Sequence, residues 1–563
     1  MADIKEELRS FEKMRSTPQY ERFADRPVAY FCAEFALDEE RRRYAGGLGV
    51  LAGDMVREAA DRGFPLVAVG LYYREGYICP SKDIDGRRFP VCQAVPPARA
   101  GFTPVRGQDG KRLHLRLPIH DREIKVRVWQ MKMGNNPIYM MDTNCEENQP
   151  ADRSITDRLY ANDKETRLKQ EIILGIGGLR LLEALNIHPL VYHLNEGHSA
   201  MLALELIRHE MKERNIGFDE AKQFARRRIV MTNHTLVPAG NEVFSYDLVS
   251  MLLQRYAAEL NVPVHELVKL GLVQQSNEFS LTTLAFRMST IINAVSRLHA
   301  AKAKEIWTDH PMVAVTNGVH VPTWDLIGDE AAAKGRFWPA HQARKAALLE
   351  HIKKATGRDW GGDVLLAGWA RRIVRYKRPM AILEDLGRFG GLARNLARPF
   401  RLVISGHPHP GDGDGEGLLG EIKRLTEGEL ADVAVYLPDY DMKLARLLTS
   451  GCDVWLNTPV VGFEACGTSG MKAALNGVLP CSTRDGWVDE AHLDDAGWTL
   501  NSDRVGQDLL DRLERDILPL YYSRNADGLP EVWETYMLNA REMITHQFTA
   551  TRMLREYLEM LYL

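Results

Sequence analysis

No two of the seven cysteines stand in C-x-x-C spacing, and their number is odd. That argues against a disulfide framework or a zinc site and for reduced thiols, so no metal is expected. Long apolar runs are missing too. The longest, around Phe64 to Val69, is far below the ~20 residues that span a bilayer, so no membrane partner is expected. Charge of one sign is equally scarce: 72 Lys+Arg against 76 Asp+Glu leave −4. That balance gives no reason to expect nucleic acid or an anionic membrane. Low-complexity tracts are absent. Met1-Ala-Asp-Ile-Lys-Glu-Glu reads as a charged helix rather than a signal peptide, and a cytoplasmic protein is expected.

At 563 residues the chain exceeds the ~250–300 residues at which one core stops growing. At least two domains follow. Residues 1–27 read as an amphipathic helix with a proline-containing lead-in. Val28–Ala33 is the first buried strand, followed by Glu34 and the loop Tyr44-Ala45-Gly46-Gly47-Leu48-Gly49, which opens a helix. Strand, glycine loop and helix bring backbone N–H groups against a phosphate or sugar, or simply allow tight packing. Residues 80–143 alternate apolar and polar in Leu113–Leu117 and Ile124–Trp129, the mark of antiparallel strands, and are read as a β-rich insertion. From 165 onward helices and strands alternate again. His198 and His234 sit in loops beyond strand ends, where parallel α/β sheets gather their ligands. Each can equally be structural.

The second half repeats the alternation, with strands at 364–368, 400–405, 433–437 and 454–456. The expectation is an α/β protein of two doubly wound, Rossmann-like domains, 1–318 and 319–563, facing a central cleft. The boundary falls near 315–325, and Met537–Leu563 is a helix.

Two stretches carry chemistry. Glu464-Ala-Cys-Gly-Thr-Ser-Gly-Met-Lys472 precedes good helix formers, so Gly467, Thr468 and Ser469 lie where a helix begins. Its unpaired N–H groups suit an anion. Thr468 or Ser469 would cap that helix, with Lys472 one turn in. A lysine beside such a site suggests pyridoxal phosphate held as an imine; a capped helix with a solvated lysine is the alternative. Arg371, Arg372, Arg375, Lys377 and Arg378 place five cations in eight residues after a strand. The run is either a solvated face or a phosphate site.

The segment E-A-x-G-T-x-x-M-K-x-x-L-N-G, with Leu437-Pro-Asp-Tyr440 upstream, resembles the cofactor segment of the α-glucan (glycogen, starch, maltodextrin) phosphorylases. The Gly46-Gly47 loop, L-N-x-x-H at His198, N-H-T at His234 and R-x-x-x-Y-K-R from Arg372 resemble the same family. The resemblance runs from about 28 to 563 and implies a GT-B fold whose last helix crosses back toward the first domain. It implies a hexosyltransferase in which orthophosphate cleaves an α-glucan or maltodextrin to glucose 1-phosphate with retained configuration. Pyridoxal 5′-phosphate would sit on Lys472, and its 5′-phosphate rather than its imine would pass the proton.

By the same resemblance Trp324 and Tyr440 flank the cofactor ring, Thr468 and Ser469 hold its phosphate with Arg371 nearby, and Gly46 and Gly47 approach phosphate. Arg372 and Lys377 bind orthophosphate. Glu464, Gly467, Asn317 and His198 meet the sugar, His198 and Glu464 counting among the catalytic groups. Cys466 stands where the family has serine, and His407 where it has lysine. Those departures keep open a weakly active glucan-binding homologue. A nucleotide-sugar glucan synthase shares the glycine loop, but would not need Lys472 for a cofactor. A homo-oligomer is allowed. The long N-terminal extension that carries control in animal enzymes is expected to be lacking.

Overall fold

The computed structural model describes the chain except for residues 1, 38–42, 78–80, 85–86, 91–92, 108, 237–240 and 274–275. Cys79, Cys92 and the end of the His234 loop therefore lie outside the described residues, as does part of the 80–143 stretch. The described cysteines are free thiols, all buried. No helix among the described residues is long and apolar enough to cross a membrane.

Two α/β sheets organise the chain. In the first, seven strands run parallel in the spatial order Val313–Ala314, Ile291–Ala294, Ile229–Asn233, Val191–Asn195, Val28–Cys32, Leu66–Leu71 and Asn136–Asp142. Such strands are buried on both faces, which is why Val28–Cys32 and Leu66–Leu71 read as unbroken apolar runs. Within the stretch read as a β-rich insertion, Ser81–Ile84 and Arg87–Pro90 pair as a two-stranded antiparallel sheet, and the later strands join the main sheet. Arg122–Met133 pairs antiparallel with Asn136–Asp142 and extends the main sheet. Asn136–Asp142 itself pairs parallel with Leu66–Leu71, inside the core. Its almost wholly buried pattern marks it as part of the parallel sheet rather than of the alternating segment before it.

The second sheet has six parallel strands in the order Ala434–Leu437, Phe400–Ser405, Leu365–Ala370, Val454–Asn457, Leu479–Thr483 and Trp498–Leu500. Both sheets reverse their strand order once. The reversals lie between Val28–Cys32 and Val191–Asn195 in the first, and between Leu365–Ala370 and Val454–Asn457 in the second. Crevices beyond the carboxyl ends of strands at such points are where open α/β sheets bind ligands.

The chain crosses between the halves twice. Gly318 lies so close to Thr549 that an added Cβ would sit 2.1 Å from the Thr549 carbonyl oxygen. Val319 and Ala550 exchange backbone hydrogen bonds there with Phe548 and Val319 (2.9 and 2.8 Å). Beyond this crossing Met553, Leu554, Tyr557, Leu558 and Tyr562 enter the core of the first sheet. Tyr562 hydrogen-bonds His193 Nδ1 at 2.5 Å.

A buried charge cluster stitches the second sheet at its reversal. Lys345 donates to Asp453 Oδ2 (2.7 Å), the Val364 carbonyl (2.6 Å) and the Tyr521 hydroxyl (2.7 Å). His341 meets Asp453 Oδ1 at 2.9 Å, and the Leu366 N–H donates to Oδ2 at 2.7 Å. Lys345, His341 and Asp453 have no exposed surface. Removing one charge leaves the other buried and uncompensated. Asp453→Asn is therefore expected to cost about 3–5 kcal/mol, read as a lower urea midpoint at unchanged slope.

Candidate active site

One cavity, open to solvent, lies between the two reversal points. The first half contributes Tyr44, Gly46, Gly47 and Tyr77, and Trp324 comes from the connection. From the second half come Arg371, Arg372 and Lys377 after one strand, Glu464, Gly467, Thr468, Ser469 and Lys472 after another, and His407 and Tyr440. An added Cβ at Gly46 would lie 3.8 Å from Arg372 Nη2, so the glycine loop and the cationic run face each other. The loop is pinned by buried Glu34, whose carboxylate accepts from the Ala45 and Gly46 N–H groups and from the Tyr160 hydroxyl.

The cationic run is neither wholly a face nor wholly a site. Arg375 pairs with Asp414 on the surface (3.2 Å). Arg378, at positive φ, locks the backbone at Thr458 and Ser502 (2.7 and 2.6 Å). Arg371 and Lys377 close on Glu464 at 3.5 and 3.1 Å. Arg372 projects into the cavity and is exposed to it. A strand end followed by a tight turn separates these directions within eight residues.

Glu464 is the centre of this charge. Burial opposes its ionisation, but Lys377 and then Arg371 outweigh it and hold the carboxyl below the usual carboxylate range. Burial lowers Lys377 to about 8, against Glu464 and with Arg371 and Arg372. Gly467 turns the chain at φ 76°, and an added Cβ would press on Glu464 Cγ at 3.1 Å. Glycine is therefore required where the loop must bring its backbone beside the carboxylate.

Lys472 is buried, 6 % exposed. It stands on the Ser469–Leu475 helix, with Nζ 3.2 Å from Thr468 Oγ1 and 4.2 Å from the centre of the Trp324 ring. Burial lowers it to about 8, with Asp54 opposing and Arg57 reinforcing. The expected side-chain cap is absent: Thr468 is helical (φ −62°, ψ −8°) and makes no cap hydrogen bond. A capping hydroxyl needs an extended residue. Here the Thr468 hydroxyl turns to Lys472 instead, and Ser469 Oγ receives Arg371 Nη2 and Trp455 Nε1, each at 3.3 Å.

His198 and Asn317 do not line this cavity. His198 packs on Tyr160 (5.6 Å between rings), and burial pushes its pKa well below the ordinary histidine value. Its Nδ1 and the Asn317 Oδ1 are buried without hydrogen-bond partners among the described residues. Cys466 is also off the cavity. It belongs to the apolar core of the second half, where burial raises its thiol and the Asn317 N–H faces the sulfur.

A profile of the carbohydrate phosphorylase family matches residues 121–324 and 322–491. The chain belongs to that family. A maltodextrin phosphorylase of Thermococcus litoralis is 34% identical, over 96% of this chain and 70% of its own length. A glycogen phosphorylase of Mycobacterium bovis is 34% identical over 95% and 70% respectively, and that of Aquifex aeolicus 31% over 98% and 88%.

In this phosphorylase-family chain no motif marks Tyr44 and Tyr77, which line the cavity, or Asp54, which lies beside Trp324. Asp54 accepts the Trp324 indole N–H with both oxygens (2.9 and 3.0 Å). A lone carboxylate among the apolar residues 47–56 that open its helix is the one signal that could have found it. Glu464→Gln removes the counter-charge of Lys377 and Arg371. It is expected to lower kcat/KM for the family's reaction at least about tenfold, or ~1.4 kcal/mol, in steady-state kinetics. A fall of less than twofold would leave Glu464 a purely structural acid.

Proposed function

We propose that this protein is an α-1,4-glucan phosphorylase, cleaving a terminal glucosyl unit of a glucan or maltodextrin with orthophosphate to give glucose 1-phosphate with retained configuration. The observation that carries the reading is the buried lysine, Lys472, set in one cavity with Arg371, Arg372 and Lys377. We read the chain as two units, 1–318 and 319–563, with the site between them.

The residues present fit pyridoxal 5′-phosphate. Lys472 carries its amine into the cavity beside the indole of Trp324. Arg371 Nε is buried without a hydrogen-bond partner among the described residues, as a donor awaiting an anion would be. Lys472 would hold the cofactor, Trp324 and Tyr440 would flank its ring, and Thr468, Ser469 and Arg371, with Gly46 and Gly47 opposite, would meet its phosphate. When bound, the cofactor supplies a second phosphate group that can hold and return a proton beside the reacting one.

This chain's own residues do the rest. Arg372 binds orthophosphate bidentately, and Lys377 adds a point charge. Together they offset two phosphates held side by side, an arrangement otherwise costly. Glu464, kept ionised by Lys377 and Arg371, accepts sugar hydroxyls, and the Gly467 backbone donates to another. His198 and Asn317 are assigned to the sugar as well. Their unpartnered buried Nδ1 and Oδ1 support hydroxyl ligands.

Purified protein is expected to absorb in the near ultraviolet and, after borohydride reduction, to carry a pyridoxyl label on the peptide containing Lys472. Protein that takes up no cofactor when given pyridoxal 5′-phosphate contradicts the assignment.

A further inference from the structure

The Gly47–Asp61 helix belongs to the first half, yet it sends a carboxylate into the lysine site of the second. Asp54 is 1 % exposed. An unpaired carboxylate at such depth is costly, and its partners are few and directional. Both oxygens accept the Trp324 indole N–H, at 3.0 and 2.9 Å. Arg57 lies 3.7 Å from Oδ1, and the His320 N–H reaches Oδ2 at 3.4 Å. Over the face of the same indole, Lys472 Nζ sits 4.2 Å from the ring centre. The indole thus presents its edge to the carboxylate and its face to the ammonium. Each contact is favourable for the charge it meets.

The indole is held in place separately. Asn476 Nδ2 donates to the Trp324 carbonyl (2.7 Å) and to the Lys472 carbonyl (2.9 Å). Backbone geometry between ring and lysine therefore does not depend on Asp54. Its charge does something else.

We propose that Asp54 is a positioning residue for Lys472: through the Trp324 indole it carries a buried counter-charge from the first half to the lysine of the second, so that the lysine's charge is set where the halves meet. The consequence for catalysis rests on reading Lys472 as the cofactor lysine; the coupling itself does not. The charged and titratable groups facing Lys472 are Asp54 and Arg57, both from the Gly47–Asp61 helix, with the Thr468 hydroxyl on its own helix. Those facing Asp54 are Lys472, Arg57 and His320, with the Trp324 indole. Asp54 and Arg57 act on the lysine with opposite sign, which gives the test two arms.

Competitive acetylation of the full-length protein freed of cofactor, followed by peptide mass spectrometry, reads the free-amine fraction of Lys472 against pH. Asp54→Asn keeps an acceptor for the indole and removes the charge. It is expected to shift the Lys472 profile down by about one pH unit, raising labelling near pH 7 several-fold. Arg57→Met is expected to shift the profile up. Both variants are checked for native circular dichroism. A Lys472 profile unmoved in folded Asp54→Asn overturns the proposal, and so does an Arg57→Met profile that stays in place or moves down. If Asp54→Asn does not fold, the Arg57→Met arm decides. The label reports the amine directly, so a chain without cofactor or phosphorolysis would still show the shift. Failure of the functional reading is thereby distinguishable from failure of this one.

Discussion

Lys472→Ala is expected to leave less than about a thousandth of the parent phosphorolytic rate, and to release cofactor during purification. Tethering a reactive group supplies effective molarities of order 10⁵ M or more, and added free cofactor cannot replace that. Lys472→Arg sharpens the result. Arginine keeps a cation over the Trp324 ring but offers no amine for the cofactor aldehyde. Under the present account it is as inactive as alanine. A Lys472→Arg protein with near-parent activity would make the lysine a structural charge, held 4.2 Å over an indole and nothing more.

Arg372→Ala is expected to raise KM for orthophosphate and lower kcat together. The combined loss is about 10²–10³-fold, the scale for removing a preorganised donor at developing charge. Cofactor content should be unchanged, because Arg371 and Ser469 remain paired at 3.3 Å. Arg372→Lys should recover part of the loss, as a point charge without the bidentate fork. The contrast with Arg375 is the internal control. Its guanidinium pairs with Asp414 on the surface, and Arg375→Ala is expected to stay within twofold of the parent. Unchanged phosphate kinetics in Arg372→Ala would remove Arg372 from the phosphate site.

Why these residues could be found at all is a matter of position. In an α/β chain a strand end can be read from its apolar run, and ligands gather just beyond it. Gly46, Arg372 and Lys472 each stand one loop after a legible strand, and all three line the cavity. The strand Leu479–Thr483 was not legible. Pro480 lacks an N–H and is ordinarily confined to sheet edges, yet it sits here opposite Trp455 inside the sheet. Asp54 was missed for a related reason. In sequence it is a charged helical residue like many solvated ones, and only the packing of the other half against it makes it buried.

The side-chain directions were beyond reach as well. That Thr468 turns to Lys472 instead of capping follows from one backbone angle. That Cys466 packs into the apolar core of the second half could not be read either. His198 reads as a ligand-loop residue from its place after Asn195, but the direction of its ring, packed on Tyr160, could not be read. Periodicity places a residue on an element; it does not aim its side chain.

The most direct measurement incubates purified protein, reconstituted with pyridoxal 5′-phosphate, with maltodextrin and orthophosphate, and quantifies glucose 1-phosphate and free glucose together. The account predicts α-glucose 1-phosphate as the main product, its formation dependent on orthophosphate and lost in Lys472→Ala and Arg372→Ala. Free glucose released without any need for phosphate, or no product from folded protein carrying cofactor, would contradict it.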